Sequence, residues 1–355
     1  MTFERLNIKE MVGYSYGEQP SDLNTIKLNT NENPYPPSAS VGTALKNFNT
    51  NALRRYPDAT AQALREIVGN LHGFPPDHIL ITNGGDEALR LAVTTFVSPE
   101  DGFGVLDPSY SLYPVLAAIQ NCRLVSIPAT KDWELPDTFS KKLNAEGVHL
   151  TCVVNPHAPS GHLTSTNNLA KIAEQLNGVL LIDEAYADFI DPNLNYDSKE
   201  LIERFDNVLI LRTLSKGYSL AGIRTGYLIG DPSLLEPMAL KTKDSYNIGA
   251  IAQELSCAAL SDQSYAKGNW AKIIRERKRL SEELTILGFE IPESQSNFLL
   301  AKPPIDAKKV YERLKEDGVV VRYFNTSRLS NYVRITIGTA EENNRLLFLI
   351  QKILA

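Results

Sequence analysis

The chain is poor in the residues that build metal centres and disulfide frameworks. It has three cysteines, Cys122, Cys152 and Cys257, and they lie far apart. No C-x-x-C pair occurs, which argues against a zinc site or a disulfide framework. Cys122 and Cys152 fall in the apolar runs CRLVSIP and LTCVVNP, where a cysteine acts as a small buried hydrophobe. No apolar run approaches the length of a membrane span. The opening MTFERLNIKEM lacks a long apolar core, so it does not read as a signal peptide, and cytoplasm is the expected compartment. A basic excess is missing too. The net charge of -6 gives no electrostatic reason to expect nucleic-acid binding. Repeats and low-complexity tracts are absent.

What is present fits a globular protein: 43% hydrophobic and 22% charged residues. At 355 residues the chain exceeds a typical single core, which points to two domains or one large domain with an appendage. Residues 1 to 40 read as irregular, punctuated by SYGEQPSD and NENPYPPS. From Tyr56 a regular rhythm starts. HILITN, GFGVLDP, CRLVSIPA, HLTCVVNP, GVLLIDEAY, NVLILRTL and TGYLIG are apolar runs, most with helical segments between them. Continuous rather than alternating apolar runs predict strands covered on both faces, and strand–helix repetition predicts a largely parallel α/β sheet. After Asp231 helices dominate. SYAKGNWAKIIRERKRLSEELTILG is long, amphipathic and able to bridge two domains. Shorter strands mixed with helices follow, predicting a smaller α+β domain. The expected division is 45–250 for the large domain, and 1–44 with 251–355 for the small one.

Ligands of open α/β sheets sit beyond the carboxyl ends of the strands. There the runs deliver Gly84-Gly85-Asp86-Glu87, Asp107 to Tyr110, Asn155 to Gly161, Asp183 with Tyr186, and Ser215 with Lys216. Each has an ordinary explanation alone: a turn, a helix cap, a packing aromatic, a solvated lysine. Together they meet the needs of one chemistry. Glycines opening a helix let backbone N–H groups approach a phosphate. An aromatic stacks on a flat ring. A carboxylate at a buried strand end keeps a ring nitrogen protonated, making the ring an electron sink. A tyrosine hydroxyl reaches a ring oxygen. A lysine amine bonds an aldehyde and then moves a proton. Ring, phosphate, aldehyde and pyridinium describe pyridoxal phosphate.

The chain resembles the fold-type-I pyridoxal-phosphate enzymes of the class I/II aminotransferase group, and within it the histidinol-phosphate aminotransferase branch. The likeness runs nearly end to end. KLNTNENPYPPS, RRYPDA, TNGGDEALRL, DPSYSLY, LIDEAYADF, RTLSKGYSLAGIRTGY, DSYNIGAIAQ, SNFLLA, VVVRYF and YVRITIGT carry it. It implies a large domain built on a mostly parallel seven-stranded sheet, with a smaller α+β domain. It implies that Lys216 bonds the cofactor and shuttles the proton, Asp183 pairs with the pyridine nitrogen, Tyr186 meets the ring oxygen and Tyr110 stacks on the ring. Gly85, Asp86 and Glu87, through their backbones, with Ser215 and Arg224, would hold the phosphate. Asn155 is a further cofactor candidate. Tyr56 would reach the phosphate of a neighbouring subunit, so a homodimer is expected. Arg334 would clamp an α-carboxylate. Arg322, Tyr14 and Asn31 would line the substrate pocket, facing a substrate phosphate.

One departure stands out. The family pattern at 155 to 161 is usually N-P-N-N-P-T-G, and its asparagine before the second proline contacts the ring oxygen. This chain has Ala158 there, preceded by His157. The expectation is that Tyr186 holds that oxygen alone, with Asn155 or His157 nearby. The reaction expected is transamination between glutamate and a phosphorylated imidazole ketone. Rivals on the same scaffold are an aromatic aminotransferase and a threonine-phosphate decarboxylase. A non-catalytic ligand sensor is the rival of another class, and retention of Lys216 and Asp183 argues against it.

Overall fold

The computed structural model describes residues 3–22 and 24–355. Among these residues eleven strands make two sheets. They are β1 (Ile26–Leu28), β2 (Ile79–Thr82), β3 (Gly102–Asp107), β4 (Arg123–Pro128), β5 (Val148–Val154), β6 (Val179–Asp183), β7 (Val208–Thr213), β8 (Gly226–Gly230), β9 (Phe298–Ala301), β10 (Val319–Tyr323) and β11 (Val333–Thr336). The larger sheet has the order β2-β8-β7-β6-β5-β3-β4. Only β8 runs against its neighbours; the other pairings are parallel. All seven apolar runs of the sequence reading are strands of this sheet.

Their continuous apolarity has a plain cause. Leu180, Ile182, Val208 and Ile210 face one core cluster, while Val179, Leu181, Leu209 and Leu211 face a second on the opposite side. With side chains alternating in direction, a strand buried on both faces has no position left for a polar residue. The first of these clusters continues through Leu255, Ala259 and Leu260 of the helix Ala250–Ser261, and through Val41 of the helix Ala39–Asn47.

The smaller sheet has the order β1-β10-β11-β9. The helices Gln263–Ile286, Ala307–Glu316 and Ala340–Leu354 pack on one face of it, burying Ile273, Leu280, Val310, Leu314, Leu346 and Ile350. The last helix starts at a capping box: the Thr339 side chain accepts from Glu342 N, and the Glu342 carboxylate accepts from Thr339 N at 2.7 Å. The described part of residues 1–40 is less irregular than the sequence suggests. A short helix, Leu6–Glu10, buries no residue and is tied to the larger unit by Asn7 Nδ2 donating to Ala118 O at 2.8 Å. β1 then pairs in parallel with β10 in the smaller sheet. Three residues whose partner strand lies nearly the whole chain away leave no local pattern to read. No helix among the described residues is long and apolar enough to cross a membrane.

Candidate active site

A cavity of about 620 Å³ opens where the carboxyl ends of the larger sheet meet the free face of the smaller one. The helix Gly84–Phe96 begins there, directly after β2. Gly84 sits at φ 74, a left-handed conformation suited to glycine. A Cβ at this position would lie 2.9 Å from Arg224 Nη2. Arg224 Nη2 also donates to Asp86 Oδ2 at 3.0 Å, and Nη1 reaches Ser215 Oγ at 3.4 Å. Tyr110 donates to Asp86 Oδ1 at 3.1 Å. A helix N-terminus, a hydroxyl and a guanidinium thus converge, which is the donor set of an anion cradle. Gly84→Ala would push Arg224 out of it. We expect roughly tenfold weaker binding of a phosphate-bearing cofactor, read by equilibrium dialysis, since one well-placed charged contact is worth about that factor.

The next group is set deeper. Asp183 ends β6, 5% exposed; its Oδ2 accepts from Tyr113 Oη at 3.1 Å and its Oδ1 from Ala185 N at 3.2 Å. Burial pushes this carboxyl up to about 6, against the pull of those two hydrogen bonds. Lys216 follows β7, and its Nζ donates to Thr30 O at 2.9 Å. Burial lowers its amine to about 8, helped by the Arg334 guanidinium and opposed by Glu32. Tyr186 lines the same cavity, and its hydroxyl accepts from Asn31 Nδ2 at 3.0 Å. Asn31, at φ 57, is fixed by Asn297 Nδ2 donating to its carbonyl at 3.0 Å.

The opposite wall is cationic. β10 and β11 place Arg322 directly across from Arg334. Like charges in that register repel each other unless an anion lies between them. Arg334 Nη2 donates to Asn29 O at 3.2 Å, while its buried Nε has no partner. Both guanidinium groups lie over Phe324, at 5.3 and 5.4 Å from the ring centre. Tyr14 closes this end, meeting Tyr110 edge-on with ring centres 6.0 Å apart.

Several expected residues stand elsewhere. Asn155 is turned into its own loop: Nδ2 donates to Thr164 O at 3.0 Å and to Tyr196 Oη at 2.9 Å, and Oδ1 accepts from Thr164 N. His157 is buried against Ser160 Oγ at 2.7 Å and Pro108 O at 2.9 Å; burial lowers it to about 4. Neither lines the cavity, whereas Ala158 does. The Glu87 carboxylate accepts from Asn83 N and from Asn247 Nδ2, closing the start of its helix; the part expected of this residue belongs to its backbone. Tyr56, whose expected partner is a neighbouring subunit, is 80% exposed, stacked on Tyr246 with ring centres 4.4 Å apart, and outside the cavity of its own chain. A larger cleft of about 1530 Å³ lies along the helix Gln263–Ile286. Its half-buried Arg212 is already neutralised by Glu184 at 2.9 Å and Asp188 at 2.6 Å. The cationic cavity is therefore the better ligand site.

These residues fit pyridoxal phosphate part by part. The cradle at Gly84, Ser215 and Arg224 suits its phosphate, Asp183 its ring nitrogen, and the amine of Lys216 its aldehyde. The family description "Aminotransferase class I and II" matches residues 24–350. The chain belongs to that family. Histidinol-phosphate aminotransferase 1 of Trichormus variabilis is 40% identical over 352 residues, covering 99% of this chain and 98% of that one. Histidinol-phosphate aminotransferase of Rippkaea orientalis is 42% identical over 347 residues, covering 98% and 97%. A crystal structure of histidinol-phosphate aminotransferase from Sinorhizobium meliloti in complex with pyridoxal-5'-phosphate matches at a TM-score of 0.91 and 23% identity, over 100% of this chain and 98% of that one. At that identity it speaks for the fold, which is fold type I.

In this aminotransferase Tyr113, Phe324 and Arg328 are among the cavity residues that escaped the sequence reading. Tyr113, fully buried against Asp183, stands three residues after Tyr110 in DPSYSLY, a spacing that could have flagged it. Phe324 and Arg328 lie in the loop after β10, where no local pattern marks them.

Proposed function

We propose that this aminotransferase moves an amino group between glutamate and imidazole-acetol phosphate, giving 2-oxoglutarate and histidinol phosphate in histidine biosynthesis. What carries the reading is the full-length similarity to curated histidinol-phosphate aminotransferases. A cavity with facing arginines and a buried, unpartnered guanidinium nitrogen supports it, since glutamate carries two carboxylates and the keto substrate a phosphate.

Pyridoxal phosphate, when bound, supplies the electron sink. The chain supplies the rest. The first turn of the helix Gly84–Phe96, with Ser215 and Arg224, would hold the cofactor phosphate. Asp183 would keep a proton on the ring nitrogen, and Tyr113 would hold Asp183 in place. Tyr186, itself fixed by Asn31, would meet the ring oxygen, and Tyr110 would cover the ring. Arg334 would take the substrate α-carboxylate in its fork, orienting the Cα–H bond toward Lys216. Lys216, whose amine is partly uncharged near physiological pH, would carry the proton from Cα. Arg322 and Tyr14 would face the distal phosphate. We also propose a cytoplasmic homodimer in which the exposed Tyr56 reaches the neighbouring site. The working division would be 45–250 against 1–44 with 251–355, its border shifted by the packing of the helices Ala39–Asn47 and Ala250–Ser261 on the larger core.

The test is a visible absorbance titration of cofactor-loaded protein with L-histidinol phosphate. We expect the cofactor band to convert to the pyridoxamine form and 2-oxoglutarate to restore it. A band that ignores histidinol phosphate yet answers aromatic amino acids or threonine phosphate would overturn the substrate assignment and leave the fold standing.

A further inference from the structure

We infer that Trp133 and Arg328 are positioning residues that lock the loop after β10 to the turn after β4, and so hold Arg322 and Arg334 in register with Lys216. The kinetic part of this inference rests on the transaminase reading; the structural part does not.

The turn Thr130–Glu134 follows β4 and closes on itself, with Thr130 N donating to Glu134 O at 3.0 Å and Trp133 N to Thr130 O at 3.1 Å. Trp133 sits at φ 68, a left-handed conformation that a bulky side chain rarely adopts. The indole meets His157 of its own unit, ring centres 6.5 Å apart. The indole is 5% exposed and packs with Leu300, Leu329, Phe324 and Tyr332, all from the smaller sheet and its connecting loop. The Tyr332 ring meets it edge-on at 5.8 Å. A side chain of one unit is thus buried in a pocket of the other.

Arg328 reaches back the opposite way. Its Nη1 donates to Ala129 O at 2.7 Å and its Nη2 donates to Thr130 O. Its guanidinium carbon lies 4.5 Å from the centre of the Trp133 ring. Both donors go to backbone carbonyls, so the fork reads the shape of this turn and not a charge on it. The two contacts are reciprocal: Trp133 enters the smaller unit, and Arg328 clasps the larger one over it.

The lock touches the substrate-facing arginines through Phe324. That ring shares the Trp133 cluster and carries the guanidinium groups of both Arg322 and Arg334. Leu300, in contact with the same cluster, is the cross-strand neighbour of Arg334. Lys216, Asp183, Ser215 and Arg224 belong to the larger sheet and its loops and make none of these contacts. Breaking the lock would therefore loosen the grip on a substrate anion and leave the cofactor's own holdings alone.

Arg328→Met and Trp133→Phe in the cofactor-loaded full-length protein test this. We expect KM for glutamate to rise about tenfold, with kcat changed less than about threefold and cofactor affinity within about twofold, as for loss of one positioning contact. Hydrogen exchange should speed up in both 129–134 and 324–330 in each variant, because one contact protects both segments. Arg328→Lys should restore part of the KM, since an ammonium reaches one carbonyl but cannot fork. An unchanged KM, a joint collapse of KM and cofactor affinity, or exchange that rises in one segment alone would overturn the inference. Should the unaltered protein take no amine from glutamate, the transaminase reading fails instead, and the exchange result by itself decides the lock.

Discussion

Lys216→Ala is expected to lower amine transfer by about ten-thousand-fold, because under the proposed mechanism it removes at once the amine that would bond the cofactor and the base that would move the proton. The measurement is a single-turnover absorbance assay with glutamate, and residual transfer within tenfold of the unaltered protein would reject the role. The pH dependence is a finer check. Burial holds the amine at about 8, well below an ordinary lysine, so at neutral pH a useful fraction is uncharged. Only the neutral amine attacks an aldehyde. The rate at which cofactor-free protein takes up pyridoxal phosphate should climb about tenfold per pH unit below that value and flatten above it. A climb that continues to pH 10 would mean the amine is not held down. The cause is physical and local: the ammonium has one backbone acceptor, Thr30 O, and a guanidinium as its strongest charged neighbour.

Asp183→Asn should separate activity from stability. The aspartate is buried with only a tyrosine hydroxyl and one backbone N–H on its oxygens, and its carboxyl is raised to about 6. A group whose folded-state value lies above its unfolded value binds more protons when folded. Its contribution to stability is therefore present at low pH and lost as pH rises from about 4 to about 6. Above that window the cofactor-free protein carries a buried, poorly paired charge. Asparagine removes the charge and keeps the shape. We expect the cofactor-free variant to melt a few degrees higher than the parent at pH 7.5, with the difference vanishing near pH 4. We expect amine transfer to fall about a thousandfold, the loss typical of a group that stabilises developing charge in a dry site. A variant that melts lower at pH 7.5, or that keeps its rate, would remove Asp183 from this role. The opposed signs make the test informative, since a merely structural aspartate would lose stability along with activity.

The departure at Ala158 shows how far local sequence can mislead about a side chain's task. The sequence places Asn155 and His157 near a ring oxygen because both stand just before the position of the missing asparagine. In the structure both spend their hydrogen bonds inside the loop, on Thr164, Tyr196, Ser160 and Pro108. Their neighbours in sequence were known; their rotamers were not. Tyr186 does line the cavity, and its partner is Asn31, from a segment 155 residues away that had been grouped with the substrate residues.

The sequence by itself determined the seven strands of the larger sheet, the helices of the smaller unit and the meeting of Lys216, Asp183, Tyr186 and Ser215 at one edge, with Arg224 added only by the family resemblance. All but the last rest on signals carried by consecutive residues: an apolar run, a helical period, a capping residue, a glycine where the chain turns. The tertiary structure alone decided the rest. It set Arg322 across from Arg334, brought the Tyr113 hydroxyl to Asp183, paired β1 with β10 and buried Trp133 in the opposite unit. Those facts depend on strand register and on side-chain packing between segments far apart in the chain. A one-residue slip in register would reverse every side chain on a strand and leave the local pattern almost unchanged, so no window of the sequence records them.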